Sequence, residues 1–293
     1  MSGQKLVEGT ADRSDILQYA LTLEHLEDYF YHWALDKFSA DDFKNAGFPK
    51  WVSPALDVRR DCTHTQVRQR LQNVAEHEAQ HVALLSGALG DAATKPCTYA
   101  FPGVTDPKSF LATATLIENV GVSAYLGAAS SITEAAYVTV AGSILTTEAR
   151  HQAWVNSAVL KDAPWSGPED TPLDFDEVYS IATAFITSCP DTNPPLPFKA
   201  FPALAIAADG TIQTTANTDG SYVQVLSGLE AAVYPVVGGK VQNLPNPQGI
   251  SYAVLTTSSD SSKVNDDNII AGPVIRNFPF KSDVANPAPN FGQ

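Results

Sequence analysis

Two segments of the sequence place a glutamate three positions before a histidine. They are the tetrapeptide EAQH, which contains Glu78 and His81, and the tetrapeptide EARH, which contains Glu148 and His151. Side chains three positions apart lie on one face of an α-helix, so each pair can hold a cation. A single pair of this kind occurs by chance on many solvated helices. Two pairs in one chain indicate a site for two metal ions.

Each pair follows a segment that carries one more glutamate. Glu24 is followed by Tyr31, and Glu118 is followed at the same distance by Tyr125. Both glutamates fall on the apolar stripe of their segment, where a buried helix normally carries leucine, so we expect them to point inward. Buried carboxylates are costly unless cations lie at bonding distance. The predicted metal ligands are Glu24, Glu78, His81, Glu118, Glu148 and His151.

Three further side chains are candidates for contact with these ligands. Tyr31 and Tyr125 can donate hydrogen bonds to ligating carboxylates, although packing in the core is the more common role of such tyrosines. Glu27 lies one turn beyond Glu24 and is its rival as a ligand; otherwise it is a carboxylate at the surface or beside the ligands. We favour Glu24, because its distance from Tyr31 matches that of Glu118 from Tyr125.

The other histidines lack the spacing of the two pairs. We therefore expect ordinary surface or core roles for them. They are His25, His32, His64 and His77.

Four long amphipathic segments could position the predicted ligands. The first begins at Ser14, which we expect to cap it, and the third begins at Asp106, where a cap is followed by proline. Ser131 and Glu134 predict a capping box at the start of the fourth. Because the connection between the third and fourth segments is so short, these two helices should be antiparallel.

A fifth helix and several strands follow. Asp174 and Glu177 predict the start of this helix, and Pro190 should end it. Short alternating apolar runs beyond it are typical of β-strands. These runs cover residues 221–226, 231–237, 250–256 and 268–275. We therefore divide the chain into a helical domain, residues 12–190, and a β-rich extension or small domain, residues 191–293.

The segments LTLEHLEDYFY, AEHEAQHVALL, IENVGVSAYLGAA and TTEARHQAWV resemble the ferritin-like superfamily. The likeness is greatest to fungal stress-response ferritin-like proteins and plant desiccation-related proteins. It covers roughly residues 12–160. The resemblance implies a mainly α protein with a ferritin-like antiparallel four-helix bundle, a fifth helix and a β-rich C-terminal extension. It also implies a dinuclear iron or manganese centre held by the six predicted ligands.

We expect redox chemistry at this centre, because such centres react with dioxygen or peroxide. Carboxylate and imidazole ligands suit both metals, so the ligand types do not choose between iron and manganese. The expected cofactors are two divalent ions, and the expected partner is a small-molecule substrate, dioxygen or peroxide. The alternative function is non-catalytic: a stress-protective protein that sequesters metal, or a helical scaffold for binding.

The charge of the chain excludes other classes of function. A net charge of −14 repels nucleic acid and anionic lipid surfaces. The longest apolar runs fall far short of the ~20 residues that span a bilayer. We therefore expect no nucleic-acid partner and no membrane span. The low content of charged residues, 17%, favours a secreted protein whose leader is absent from this chain; the oligomeric state is left open.

Three cysteines without CxxC spacing argue against a zinc or thiol redox site. We expect one disulfide and one buried thiol, which leaves three possible pairings. We favour a bridge between Cys62 and Cys97, because both flank the second predicted helix.

Overall fold

Six α-helices and nine β-strands form the part of the chain that the computed structural model describes, which is residues 12–48, 66–281 and 283–285. A π-helical turn, Val155–Leu160, continues the fifth helix. The helices are α1 (Arg13–Lys37), α2 (Ala40–Asn45), α3 (Gln66–Leu89), α4 (Pro107–Ala128), α5 (Ala135–Trp154) and α6 (Phe175–Thr183).

Two of the predicted helix starts are confirmed. Asp106 accepts a hydrogen bond from the backbone of Ser109, and Pro107 occupies the first turn of α4. Asp174 and Glu177 form a capping box at the start of α6. Each cap satisfies backbone donors that the first turn of a helix leaves unpaired.

Two other starts differ from the prediction. Asp12 caps α1 in a capping box with Asp15, so the helix begins one residue before Ser14. The capping box predicted from Ser131 and Glu134 is wrong. Because α5 begins at Ala135, Glu134 occupies the cap position itself and makes no side-chain hydrogen bond there.

The long helices pack in two pairs, α1 with α3 and α4 with α5, and α1 also contacts α4. Fully buried aliphatic and aromatic side chains fill the space between them, among them Leu21, Phe30, Leu71, Phe110 and Leu111. Burying a side chain of this size contributes about 1.5–3 kcal/mol. The apolar stripes therefore fix which faces of the four helices meet.

The segment before α6 passes unusually close to the end of α4. The backbone amide of Leu173 donates to the carbonyl of Ser123 at 3.2 Å. A Cβ atom at position 127 would lie 1.7 Å from the carbonyl oxygen of Leu173. Only glycine permits this approach, so Gly127 fixes the path of the chain across α4.

The predicted strands of the C-terminal part are confirmed as members of one antiparallel sheet with strand order β7-β6-β5-β8-β9. Two two-stranded sheets, β1 with β2 and β3 with β4, lie outside it. The strands are β1 (Thr98–Tyr99), β2 (Ile186–Ser188), β3 (Ala205–Ile206), β4 (Ile212–Gln213), β5 (Tyr222–Ser227), β6 (Glu230–Val237), β7 (Lys240–Val241), β8 (Gly249–Thr256) and β9 (Ile269–Phe278).

The five-stranded sheet contacts the back of α4 through a buried tyrosine. Tyr252 of β8 is 0% exposed. Its hydroxyl donates to Oδ1 of Asn119 at 3.0 Å and lies 2.9 Å from Oγ of Ser123. The sheet therefore shares its core with the helical part. The division of the chain at residue 190 stays a prediction.

The predicted disulfide between Cys62 and Cys97 is wrong. Cys97 is bonded to Cys189, and Cys62 lies outside the described residues. The fifth predicted helix ends at Thr183 instead of Pro190, and the chain continues as β2, which pairs with β1. This pairing brings the two neighbouring cysteines together. Strands of two and three residues are too short to show a period in the sequence.

Among the described residues, no helix is both long enough and apolar enough to cross a membrane.

Candidate metal centre

The six predicted ligands meet in the interior of the helical part. The carboxylates of all four glutamates are 0% exposed. The two imidazoles are slightly more accessible, at 12% for His81 and 7% for His151. α1 contributes Glu24, α3 contributes Glu78 and His81, α4 contributes Glu118, and α5 contributes Glu148 and His151.

Four of these side chains form a first group around His81. The ligand atoms of Glu24, Glu78, His81 and Glu148 all lie within 4.8 Å of one another. Nδ1 of His81 is 2.9 Å from Oε2 of Glu78 and 3.1 Å from Oε2 of Glu24. It is also 3.3 Å from Oε1 of Glu148. Atoms this close can converge on one ion.

A second group surrounds His151 and overlaps the first. Its members are Glu78, Glu118, Glu148 and His151. Nδ1 of His151 is 3.0 Å from Oε1 of Glu78 and 3.1 Å from Oε2 of Glu118. Glu78 and Glu148 belong to both groups. The two groups therefore form two adjacent positions that share two carboxylates. Each position also has one carboxylate and one imidazole that the other lacks.

One of the two shared carboxylates carries oxygens without hydrogen bonds. Both carboxylate oxygens of Glu148 are buried and have no hydrogen-bond partner among the described residues, although Oε1 lies 3.3 Å from Nδ1 of His81. Leaving a buried charged oxygen unsatisfied costs more than any net hydrogen bond contributes. Cations at the two positions would satisfy these atoms, and oxygen with imidazole nitrogen is a ligand set that iron and manganese accept.

The sequence profile of the ferritin-like domain matches residues 12–161, a range that holds all six side chains. The chain belongs to the ferritin-like family. It is also similar to Protein rds1 of Schizosaccharomyces pombe, with 27% identity over 231 residues that make up 78% of this chain and 52% of that protein. The chain thus spans about half the length of this curated relative. The resemblance inferred from the four segments is confirmed.

Two tyrosines of the ferritin-like domain donate hydrogen bonds to its buried carboxylates. Tyr31 on α1 donates to Oε1 of Glu118 on α4, and Tyr125 on α4 donates to Oε1 of Glu24 on α1 at 2.5 Å. Burial raises the pKa of both phenols well above the usual value, and the adjacent carboxylates raise it further. Both phenols therefore keep their protons and act as donors.

Burial and mutual repulsion disfavour charge on two of the carboxylates of the ferritin-like domain. Burial raises the pKa of Glu148 well above its usual value, and Glu78 and Glu27 raise it further. Burial also raises the pKa of Glu24 to about 7, although hydrogen bonding to His81 opposes the shift. For Glu78, burial acts in the same direction, but hydrogen bonds from His151 and His81 lower its pKa to about 2.

The two histidines compensate part of this negative charge. Burial lowers the pKa of His81, but its hydrogen bonds to Glu24 and Glu78 outweigh burial and raise the pKa to about 10. Burial likewise lowers the pKa of His151, which Glu118 and Glu78 raise to about 10. Protons and cations therefore compete for the same nitrogen and oxygen atoms of the ferritin-like domain.

Glu27 lies beside the ligands and not at the surface, because it is only 3% exposed. It belongs to neither group of four. A Cβ atom at position 121 would lie 3.0 Å from Oε1 of Glu27 and 3.0 Å from Oε2 of Glu148. Gly121 therefore leaves the space that these two carboxylates occupy. Burial raises the pKa of Glu27 well above its usual value, and Glu24 raises it further.

His77, for which the sequence predicted an ordinary surface or core role, contacts a predicted ligand. Its Nδ1 lies 2.9 Å from Nε2 of His151, and the planes of the two rings are inclined by only 14°. A partner on the outer nitrogen usually fixes the orientation of a ligating histidine. His77 and His81 are four positions apart and so share a helix face, which is the pattern that could have found this residue.

The other histidines have the ordinary roles expected of them where the structure describes them. His25 is buried, with Nε2 3.1 Å from the carbonyl oxygen of Thr94. His32 pairs with Asp28 on the same helix. His64 lies outside the described residues.

A polar cleft of about 480 Å³ opens onto the histidine side of the centre. His81 and His151 line it together with His77, Arg70 and Arg150. Water and small ions can therefore approach the imidazole edge of the centre, and the two arginines give this entrance a positive charge.

Proposed function

We propose that this ferritin-like protein holds two divalent ions, iron or manganese, and uses them in redox chemistry with dioxygen or peroxide. In this proposal the four long helices form an antiparallel bundle around the ions. Glu24, Glu78, His81 and Glu148 would hold one ion, and Glu78, Glu118, Glu148 and His151 would hold the other.

The proposal rests on the two buried oxygens of Glu148 that lack hydrogen bonds. Glu148 is one of the two residues that the overlapping groups share. Four carboxylates and two neutral imidazoles would balance the charge of two divalent ions. Without such ions, several buried carboxylates would remain uncompensated, which is strongly destabilising.

Bound iron or manganese would supply the redox equivalents and the open coordination positions for a small oxidant. The protein would supply position and exclusion of water. Tyr31 and Tyr125 hold Glu118 and Glu24 by hydrogen bonds, and His77 holds the ring of His151. Side chains held in this way keep their geometry during a reaction.

Metal sequestration is the second candidate function. The complete burial of Glu24, Glu78 and Glu148 favours it, because ions can then exchange only through the histidine edge at the cleft. In this case the centre would protect a cell under stress by withholding reactive metal. The same six ligands serve both functions, so turnover decides between them.

Metal analysis of the protein from its native source tests the proposal. We expect about two ions of iron or manganese per chain, as for other dinuclear carboxylate centres. Consumption of dioxygen or peroxide by the reconstituted protein supports the redox function, whereas bound metal without turnover supports sequestration. Absence of metal, together with a melting temperature that Fe(II) and Mn(II) leave unchanged, contradicts both functions.

We also propose that the protein works in an oxidising, extracellular compartment. Its disulfide between Cys97 and Cys189 supports this location, because disulfides persist mainly in such compartments. Mass spectrometry of the native protein without reductant should find these two cysteines linked. Two free thiols at these positions would contradict the proposal.

A further inference from the structure

A cavity of about 290 Å³ lies next to the metal centre, between α1, α4 and α5. Its walls are mostly aliphatic and include Leu17, Ala20, Leu85, Val140 and Ile144. The cavity opens to solvent at a rim of exposed residues, while its apolar walls offer water no hydrogen bonds. A cavity with these properties is suited to an apolar molecule.

Tyr125 connects this cavity to the centre. The residue lines the cavity, while its hydroxyl donates to Oε1 of Glu24 at 2.5 Å. A molecule in the cavity therefore contacts the same side chain that holds a proposed metal ligand. The tyrosine of the other helix pair has different surroundings: Tyr31 packs against Phe30 and Phe110.

Two charged residues at the rim of the cavity pair with each other. Arg13 and Glu134 form an exposed ion pair at 3.5 Å and so neutralise each other. The lining therefore favours an uncharged molecule, since a buried charge would find no counter-ion there.

We propose that this cavity binds an uncharged, largely apolar small molecule of about two aromatic rings in size. An apolar cavity of about 150 Å³ accommodates benzene, so the present one has room for about twice that volume. If the redox function proposed above is correct, this molecule is the substrate, held against Tyr125. Charged molecules are directed instead to the arginine-lined cleft.

A fluorescence titration with N-phenyl-1-naphthylamine tests the binding. This probe is uncharged, has fused and single aromatic rings, and becomes fluorescent in apolar surroundings. The full chain, stripped of metal with a chelator, should bind one probe molecule saturably. Binding in this form does not depend on the metal centre, so it is separable from the proposed function.

Filling the cavity should weaken this binding. Ala141 lines the cavity from α5, and we expect Ala141→Trp to reduce the affinity for the probe at least tenfold. Thr133→Trp changes an exposed loop position of the rim. It should also weaken binding of the probe, and it should have little influence on folding. The matched control is Val138→Trp on the same helix, because Val138 is 45% exposed and not part of the lining. Melting curves of all three variants verify that they are folded.

The link to the centre has a spectroscopic readout. In protein loaded with Co(II), the probe should shift the visible absorption of the metal, and Ala141→Trp should abolish the shift while it keeps the metal content. A shift in the wild type but not in Tyr125→Phe would show that the phenol transmits the effect.

Three results would overturn the inference. They are no saturable binding by the wild type, equal affinity of the wild type and the folded Ala141→Trp variant, and binding that arises only after deletion of residues 1–11. The last result would mean that the chain fills its own cavity. Probe binding by a protein that takes up no metal would refute the proposed function and leave the cavity as a binding site.

Discussion

The pair α1 with α3 and the pair α4 with α5 offer the same ligands in the same order but place them in different surroundings. Each pair contributes one glutamate from its first helix and a glutamate and histidine from its second. The tyrosine of each pair donates to the glutamate of the other, so the hydrogen bonds cross between the pairs. The inner part of the centre is therefore nearly symmetric.

The surroundings differ at three matched positions. Glu27, three residues after Glu24, corresponds to Gly121, three residues after Glu118. His77 corresponds in the same way to Thr147, four residues before the histidine of each pair. Tyr31 packs among aromatic rings, whereas Tyr125 lines the apolar cavity.

The residues that could hold metal and the residues that surround them are therefore separate features of the sequence. Repetition of the ligands favours two similar ion positions. The unmatched residues add a buried carboxylate on α1, an imidazole of α3 that contacts His151, and an apolar cavity beside Tyr125 of α4. Two similar ion positions can thus have different routes of access for small molecules.

The largest expected effect is on the number of bound metal ions, which should differ between variants of shared and of unshared ligands. Glu78→Ala removes a carboxylate common to both groups, so metal content should fall from about two ions per chain to nearly none. Glu24→Ala removes a ligand of one group and should leave about one ion. Elemental analysis measures both. Glu76→Ala, on the exposed face of α3, is the control and should retain the wild-type content. Equal losses in Glu24→Ala and Glu78→Ala would show that the groups do not share ligands.

The second prediction tests whether the two groups of ligands release protons alike when they bind metal. Because the pKa values of His81 and His151 are raised to about 10, both imidazoles carry protons at neutral pH in the metal-free protein. Each ion must displace at least the proton of its histidine, and the raised pKa values of Glu24 and Glu148 add further protons, so the apparent affinity for Mn(II) should rise at least about tenfold per pH unit up to about pH 10.

Calorimetry in buffers of different ionisation enthalpy, between about pH 6.5 and 8.5, measures the protons released. The protonated histidines also stabilise the metal-free protein, and this stabilisation falls as the pH rises, whereas the metal affinity increases. The stabilisation is complete below the unfolded pKa of about 6.5 and is lost as the pH rises through 10. Release of a single proton on binding of two ions would show that the groups around His81 and His151 are not equivalent.

The third prediction concerns Gly121, which corresponds to Glu27 but carries no side chain. In Gly121→Ala the new methyl group would lie 3.0 Å from oxygens of both Glu27 and Glu148, so one carboxylate must move. We expect the affinity for Mn(II) to fall about tenfold, which is typical for changes beside metal ligands. Adding Glu27→Ala should restore part of the loss.

Gly142→Ala is the matched control for Gly121→Ala, because nothing lies within 4 Å of a Cβ at position 142 of α5. It should stabilise the helix by about 0.5–1 kcal/mol and leave metal affinity unchanged. If Gly121→Ala bound Mn(II) as tightly as Gly142→Ala, the close approach of Glu27 and Glu148 would have no role in the centre.

The smallest expected effect is a difference in unfolding free energy between variants of Tyr31 and Tyr125. Tyr31→Phe leaves Oε1 of Glu118 without its donor in a tightly packed aromatic cluster, and this should cost about 1–3 kcal/mol of unfolding free energy. Tyr125→Phe should cost about 1 kcal/mol less, because the adjoining cavity leaves room for a water molecule near Glu24. Urea unfolding of the two variants measures the difference, and the reverse order would contradict the contrast between the surroundings.

The inner part of the centre could be predicted from the sequence because its signal is periodic. A glutamate three residues before a histidine, found twice, requires only helical geometry to become a site. The positions of Glu27 and His77 depend on neighbours from other helices. Glu27 is buried beside the ligands because residue 121 lacks a side chain, a relation that no spacing along α1 reveals.

The disulfide and the helix starts show a similar limit. Cys97 meets Cys189 through two strands of two and three residues, which carry no periodic pattern. Ser131 and Glu134 have the spacing of a capping box, but the chain turns once more before α5 begins. Local motifs identified the elements, and packing between distant segments determined where they end.

The hydrogen bonds of Tyr252 have a consequence for how this protein can be shortened. Asn119 and Ser123, which Tyr252 contacts, are close neighbours of Glu118 on the same helix. In a chain cut at residue 190, these two polar side chains would lose their partner close to a proposed ligand. We therefore expect a shortened protein to keep its metal affinity only if the C-terminal strands are retained.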